Sequence, residues 1–296
     1  MKVRSNQRQT LPAPETLSRN NFELLLRRIA DDIAFGTDES LFVGSGLEYA
    51  QSRPYEPGDP VRQIDWKVSA RMPVAYVKQH ETLKRLAMYL LVDTSASMQV
   101  SSSELSKHSL AVWLAGALGL VALRRLSPVS VQSGGSRFKE LRGELLPSLS
   151  PDALWRNLEP LRRCDFQEST EMKNQLDSLA LKVRERSLMV VLSDLHDDEM
   201  VDSLRKLGPQ HDVIVIHLMD PVELGKLNAG YFMGQESESG AQMMVRGSDQ
   251  WRHHVGVERQ LAGADVSYLR LRTDQSPVMP LREFLLTRVS LMRGQR

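Results

Sequence analysis

The stretch Asp-Thr-Ser-Ala-Ser-Met at 93–98 sets one carboxylate and two hydroxyls, Asp93, Ser95 and Ser97, at alternate positions. Alternate residues of a tight loop can turn their oxygens toward one centre. Hard oxygen donors of this kind suit Mg2+ or Mn2+ rather than zinc. Hydroxyls carry no charge, so such a set compensates a divalent ion only in part. The ion would keep waters and could exchange one for an acidic group on another molecule. A serine in this place also serves as the N-cap of a following helix, and the spacing alone leaves both uses open.

The elements around the motif bear on the choice. LAMYLLVD (86–93) is a near-continuous apolar run that closes on Asp93, as expected of a strand buried on both faces. SLMVVLSD (187–194) and DVIVIHLMD (212–220) repeat the pattern and close on Asp194 and Asp220. Helical spacing covers about 104–125, 152–161, 171–183, 198–207, 251–261 and 280–291. PVSVQS (128–133) and VSYLRLR (266–272) read as further strands, 137–146 as a possible short one, and 225–245 as an excursion with a hairpin. Strands alternating with helices imply βαβ units, hence an α/β fold with a doubly wound, mostly parallel sheet. Ligands bind such sheets at the carboxyl ends of the strands, near a topological switch point. Three aspartates stand at strand ends of that kind.

Upstream the text is different. Residues 1–20, with Pro12 and Pro14, read as a flexible lead-in. Phe22, Leu25, Leu26, Ile29, Ile33 and Ala34 mark one helix over 21–36. From 40 to 84, Gly44, Gly46, Pro54, Pro57, Gly58, Pro60 and Pro73 break the chain into short extended pieces. The expected organisation is a lead-in (1–20), a helix with a turn-rich extension (21–84) and an α/β domain (85–296).

Composition narrows the function classes. With 296 residues, 41% hydrophobic and 25% charged, the chain is of ordinary globular type and long enough to bury a sizeable core. Its 38 Lys and Arg against 37 Asp and Glu leave a formal net charge of +1, which argues against nucleic acid as a partner and against a polybasic membrane anchor. The longest apolar run, 110–123, spans about 21 Å as a helix against roughly 30 Å of hydrocarbon, and reads as a helix buried by protein rather than a membrane span. No apolar stretch follows the basic residues of the N-terminus, so no secretory signal is expected. The single cysteine, Cys164, allows no intramolecular disulfide and no Cys-rich zinc site, which fits a reducing cytoplasm.

Enzyme signatures are missing from the text. There is no G-x-S-x-G and no P-loop, and DTSAS stands where a dinucleotide-binding loop would follow the first strand. Ser95 takes the position of the second carboxylate of an aspartyl-phosphate phosphatase. Three strand-end aspartates are too few for a hydrolytic two-metal site. A non-enzymatic module is therefore expected, with a metal-dependent phosphoester hydrolase, or a domain that binds partners without metal, as the alternatives. The His-Asp-Asp-Glu run at 196–199 reads as acidic residues favoured by a helix dipole, and His253–His254 as surface residues.

LLVDTSASM, a long apolar helix and then VVLSD resemble the von Willebrand factor A fold with its metal-ion-dependent adhesion site. RPYEPGDPVRQIDWKVSAR (53–71) resembles more closely the signature of the bacterial domain-of-unknown-function family fifty-eight, carried by Arg53, Tyr55, Gly58, Asp59, Arg62, Ile64, Asp65, Trp66, Ser69, Ala70 and Arg71. DPVE at 220–223 matches that family's Asp-Pro-x-Glu after a late strand. The resemblance implies a metal set of Asp93, Ser95, Ser97, Thr170 and Asp194, completed by an acidic side chain of a protein partner. Leu195 stands where glycine is common in the family. It also implies an adaptor or co-chaperone role beside a MoxR-type AAA+ ATPase. Physically, the arginines and aspartates of 53–71 offer charge-assisted pairs that would pin an irregular segment, with Trp66 as anchor. A partner-docking surface is the other reading of the same residues.

Overall fold

A computed structural model describes residues 11–35, 52–58, 61, 64–78, 86–134, 146–162, 171–224, 231–235, 242–246 and 256–294. They form two units, one within 43–85 and the other comprising the rest.

In the smaller unit β1 (Ser52–Pro54) pairs antiparallel with β2 (Tyr76–Lys78), and α2 (Trp66–Ser69) lies between them in sequence. Asp65 caps α2, its carboxylate accepting from Lys67 N at 3.1 Å and Val68 N at 3.2 Å. The Ser69 hydroxyl accepts from Tyr76 N at 2.8 Å. Asp65 and Ser69 thus hold the irregular chain in place, while Trp66 is exposed. Asp59 and Arg62 lie outside the described residues.

The larger unit opens with α1 (Arg19–Ala34), capped by the Ser18 hydroxyl, which accepts from Asn21 N. Ahead of it, Pro12 O accepts from Trp113 Nε1 at 2.8 Å, and Arg162 donates to Pro14 O and Leu17 O. Then follow β3 (Met88–Val92), α3 (Lys107–Arg124), β4 (Val129–Ser133), α4 (Pro151–Leu161), α5 (Met172–Lys182), β5 (Leu188–Ser193), α6 (Asp198–Leu207), β6 (Asp212–Met219) and α7 (Pro221–Leu224). A hairpin of β7 (Tyr231–Gln235) and β8 (Gln242–Arg246), then α8 (Val257–Ala262), β9 (Val266–Arg272) and α9 (Val278–Gly294) complete it.

Five strands make one sheet, in the order β4-β3-β5-β6-β9, with every neighbour pair parallel. The continuous apolar runs divide between its two faces with the period of two that a pleated strand imposes. Met88, Leu90 and Val92 of β3, with Leu188, Val190 and Leu192 of β5, enter a core shared with α1, α3, α4 and α9. Tyr89 and Leu91, with Met189 and Val191, enter a second core with α5, α6 and α8. Helices therefore cover both faces, as the strand–helix alternation predicts.

Helix α3 is buried from Lys107 through Ala122. Its glycines let neighbours close on it: a Cβ at Gly116 would lie 2.6 Å from Leu26 of α1, and one at Gly119 would lie 2.8 Å from Leu154 of α4. No helix among the described residues is long and apolar enough to cross a membrane.

Some boundaries differ from the sequence expectation. Helix α3 begins at Lys107 rather than 104, because Ser106 is its cap and accepts from Ser109 N at 3.0 Å. Helix α8 begins only at Val257, after Gly256 at φ 115°. The short strand expected at 137–146 falls, but for Leu146, outside the described residues, as do Cys164, His253 and His254.

From β3 the chain crosses to β4 on one side, then returns to β5 on the other side of β3. The switch point thus lies between the carboxyl ends of β3 and β5, which are followed by Asp93 and Asp194.

Two of the buried histidines weaken this unit in acid. Burial lowers the pKa of His108, whose Nε2 bonds Leu161 O at 2.7 Å, and also that of His211, helped by the Arg186 charge. Both ring nitrogens of His211 are buried with no hydrogen-bond partner among the described residues. Unfolded histidine takes up a proton near pH 6.5 while these stay neutral, so the native state binds fewer protons and stability falls as pH drops below about 6.5. Urea midpoints measured at pH 8 and pH 5.5 are expected to show that fall, and His211→Leu is expected to reduce it.

Candidate metal centre

Asp93 follows β3 directly and is nearly fully buried at 3% exposure. Its backbone N–H donates to Leu192 O of β5 at 2.9 Å, which draws the loop toward the neighbouring strand. Its carboxylate is held by neutral donors: Oδ1 accepts from Ser95 N at 3.0 Å and Oδ2 from the Ser193 hydroxyl at 2.6 Å. Ser95 sits at the N-cap position of a short 3-10 helix, Ala96–Gln99, yet its side chain makes no capping bond. Its hydroxyl meets that of Ser97 at 3.0 Å instead. Ser97 also lies near enough to Asp194 to favour its ionised form. The capping use of the motif is therefore not the one the structure shows for Ser95.

Asp93, Ser95, Ser97 and Asp194 thus form one connected cluster at the switch point. Thr170 lies outside the described residues. Leu195, after Asp194, has φ 54°, a left-handed conformation costing an ordinary residue about 1–2 kcal/mol. Its buried side chain packs in the second core. That backbone explains why glycine would be at ease in this position.

The two carboxylates are unequal. Burial, and then the charge of Asp194, push Asp93 up to about 6, against the donors that favour its ionised form. Burial acts on Asp194 in the same direction, but the Lys107 ammonium, with lesser help from His196 and Ser97, holds it below its ordinary value. Lys107 Nζ lies 2.7 Å from Asp194 Oδ2 and 2.5 Å from Glu223 Oε1. Burial opposes the Lys107 charge, yet the two carboxylates raise its pKa overall. It therefore remains an ammonium although its side chain is only 1% exposed.

Glu223 is placed by the Asp-Pro-x-Glu turn. Its Oε2 accepts from Asp220 N at 3.0 Å, and Asp220 Oδ1 accepts from Val222 N at 2.9 Å. The Asp220 carboxylate also takes Ser102 N at 2.7 Å and the hydroxyls of Ser101 and Ser102. The third strand-end aspartate thus fastens the loop before α3 rather than joining the oxygen cluster. His196 has Nδ1 3.7 Å from Asp194 Oδ2 and Nε2 4.0 Å from Glu223 Oε1, beyond hydrogen-bond range. Asp197 caps α6, accepting from Glu199 N at 2.9 Å, so the acidic run serves the helix as expected while His196 faces the centre.

The sequence reading passed over Lys107 and His196 as site residues. A signal for Lys107 existed: a lysine in the first helical turn opposes the helix dipole, so a buried one there needs anions close by. For Glu223 the signal was the Asp-Pro-x-Glu motif.

Two carboxylates and two hydroxyls, converging at one strand-end crevice, are a donor set of the type hard divalent ions take. The unpaired share of charge sits on Asp93, since Lys107 is committed to Asp194 and Glu223. The fold and this cluster define a parallel α/β protein with an acidic centre at its switch point. Residues 51–260 match the family described as "Protein of unknown function DUF58", and the chain belongs to that family. It is 26% identical over 285 residues to an uncharacterized protein of Mycobacterium bovis and equally to one of Mycobacterium tuberculosis, covering 90% of this chain and 87% of theirs. No solved structure matches it.

A stability prediction comes from Asp93. Its folded pKa of about 6 exceeds the unfolded value of 3.8, so ionising it in the native state costs stability as pH rises through about 6. Asp93→Asn keeps an oxygen for Ser95 N, and the Ser193 hydroxyl can turn to accept. Without divalent ions at pH 7.5, Asp93→Asn is expected to raise unfolding stability by about 2 kcal/mol, read from denaturant curves.

Proposed function

We propose that this protein is a non-enzymatic, metal-dependent protein-binding module of the von Willebrand factor A type. In this reading Asp93, Ser95, Ser97 and Asp194, with Thr170, hold Mg2+ or Mn2+. An acidic side chain of a partner completes the coordination. The observation that carries the reading is the buried Asp93 carboxylate, set against Asp194 among neutral donors. A divalent ion would relieve that repulsion, and its remaining positive charge would attract a carboxylate from another molecule. The metal supplies an electrophilic docking point. The protein's own part is to fix Asp93 through Ser95 N and Ser193, and Asp194 through Lys107.

The partner class rests on the resemblance of 53–71 and 220–223 to the family signature. It makes the protein an adaptor or co-chaperone of a MoxR-type AAA+ ATPase, in a reducing cytoplasm consistent with a single cysteine. Lys107 favours one competing reading, an A-type domain that binds partners without metal, because its ammonium already answers the charge of Asp194.

Calorimetric and thermal titration separate the two. A ligand bound only by the native state raises its melting temperature. Mg2+ is expected to do so for the wild type and to have no effect on Asp93→Ala, which keeps its fold. Retention of a MoxR-type ATPase in a pull-down is expected to drop at least tenfold in chelator. A wild-type melting temperature unmoved by Mg2+ and Mn2+, with retention indifferent to chelator, overturns the metal-dependent reading in favour of the metal-free one.

A further inference from the structure

Beside the oxygen cluster lies a second group with a different donor chemistry. Asp194, His196 and Glu223 bring an oxygen, a ring nitrogen and an oxygen within 4.8 Å of one another. Mixed imidazole and carboxylate donors at that spacing suit a zinc-class ion better than Mg2+. Two of the three groups already hold a cation. Lys107 Nζ stands on Asp194 Oδ2 and Glu223 Oε1, the same two oxygens that lie closest to the His196 ring. An ion bound to these oxygens would be pressed against an ammonium that cannot withdraw, since Lys107 heads a buried helix and is itself buried among its anions.

We propose that Lys107 is a specificity-determining residue of this strand-end cluster: its ammonium occupies the two carboxylate oxygens with which Asp194 and Glu223, together with His196, would otherwise bind a zinc-class ion. Asp194 then has one oxygen engaged by an internal cation and serves the Asp93–Ser95–Ser97 side alone. The crevice takes one divalent ion instead of a close pair. The last step rests on the metal-dependent reading above; the exclusion itself depends only on Lys107, Asp194, Glu223 and His196. Glu223 keeps the ammonium in position, and the Asp220 clamp on the 101–102 loop keeps Glu223 in position.

The test is Zn2+ binding to the full chain in excess Mg2+, followed by calorimetry and by native mass spectrometry. Lys107→Met is expected to gain one Zn2+ equivalent, bound at least a hundredfold more tightly than anything the wild type takes there. Adding His196→Ala to Lys107→Met is expected to abolish that equivalent, whereas adding Asp93→Ala is expected to leave it. Lys107→Gln retains a donor for one carboxylate and is expected to behave as Lys107→Met does, so the question stays answerable if the Met variant does not fold. The proposal is overturned if the folded neutral variant gains no Zn2+, if the wild type already holds a His196-dependent Zn2+, or if the gained ion depends on Asp93 rather than His196. Mg2+ binding to the wild type and to Asp93→Ala judges the oxygen centre separately, so either conclusion can fail without the other.

Discussion

Two carboxylates at the ends of adjacent parallel strands, both buried, repel each other. Much of the architecture can be understood as the means of holding them there. Asp194 is made tolerable by Lys107, whose ammonium is shared with Glu223. Among the described residues Asp93 has only neutral donors, and it remains the costlier of the two, with its pKa pushed up to about 6. A fold built for stability alone would place an amide or an apolar residue at such a point. Keeping a carboxylate there is the local penalty on which the proposed metal centre rests.

The topology supplies the place. Helix-covered parallel strands diverge where the chain reverses its direction of winding, and here that happens between β3 and β5. The first core packs up to the strand ends, so the aspartates inherit burial from Val92, next to Asp93, and Leu192, two residues before Asp194. Helix α3 brings Lys107 to Asp194 at its first residue. The turn after β6 brings Glu223 and, through Asp220, fastens the loop that leads into α3. Four elements distant in sequence are thereby fixed relative to one another by charge and hydrogen bonds at a single edge.

Much of this was legible in the chain. Continuous apolar runs that close on aspartate announced buried parallel strands, and alternate oxygens after the first of them announced the cluster. The helices followed from spacing, with errors at their ends where a serine cap or a left-handed glycine decided the boundary. Lys107 escaped because a basic residue flanking an apolar run normally reads as a solvated end, and its anions lie 87 and 116 residues away in sequence. His196 escaped for a related reason. It precedes an acidic turn that serves α6, and only the fold shows the ring facing Asp194 and Glu223.

The most direct measurement is a carbon-13 NMR titration of the side-chain carboxyl of Asp93 in metal-free protein. Burial against Asp194 requires a midpoint near pH 6. A midpoint near 3.9, the value of a solvated aspartate, would contradict the convergence of these two strand ends.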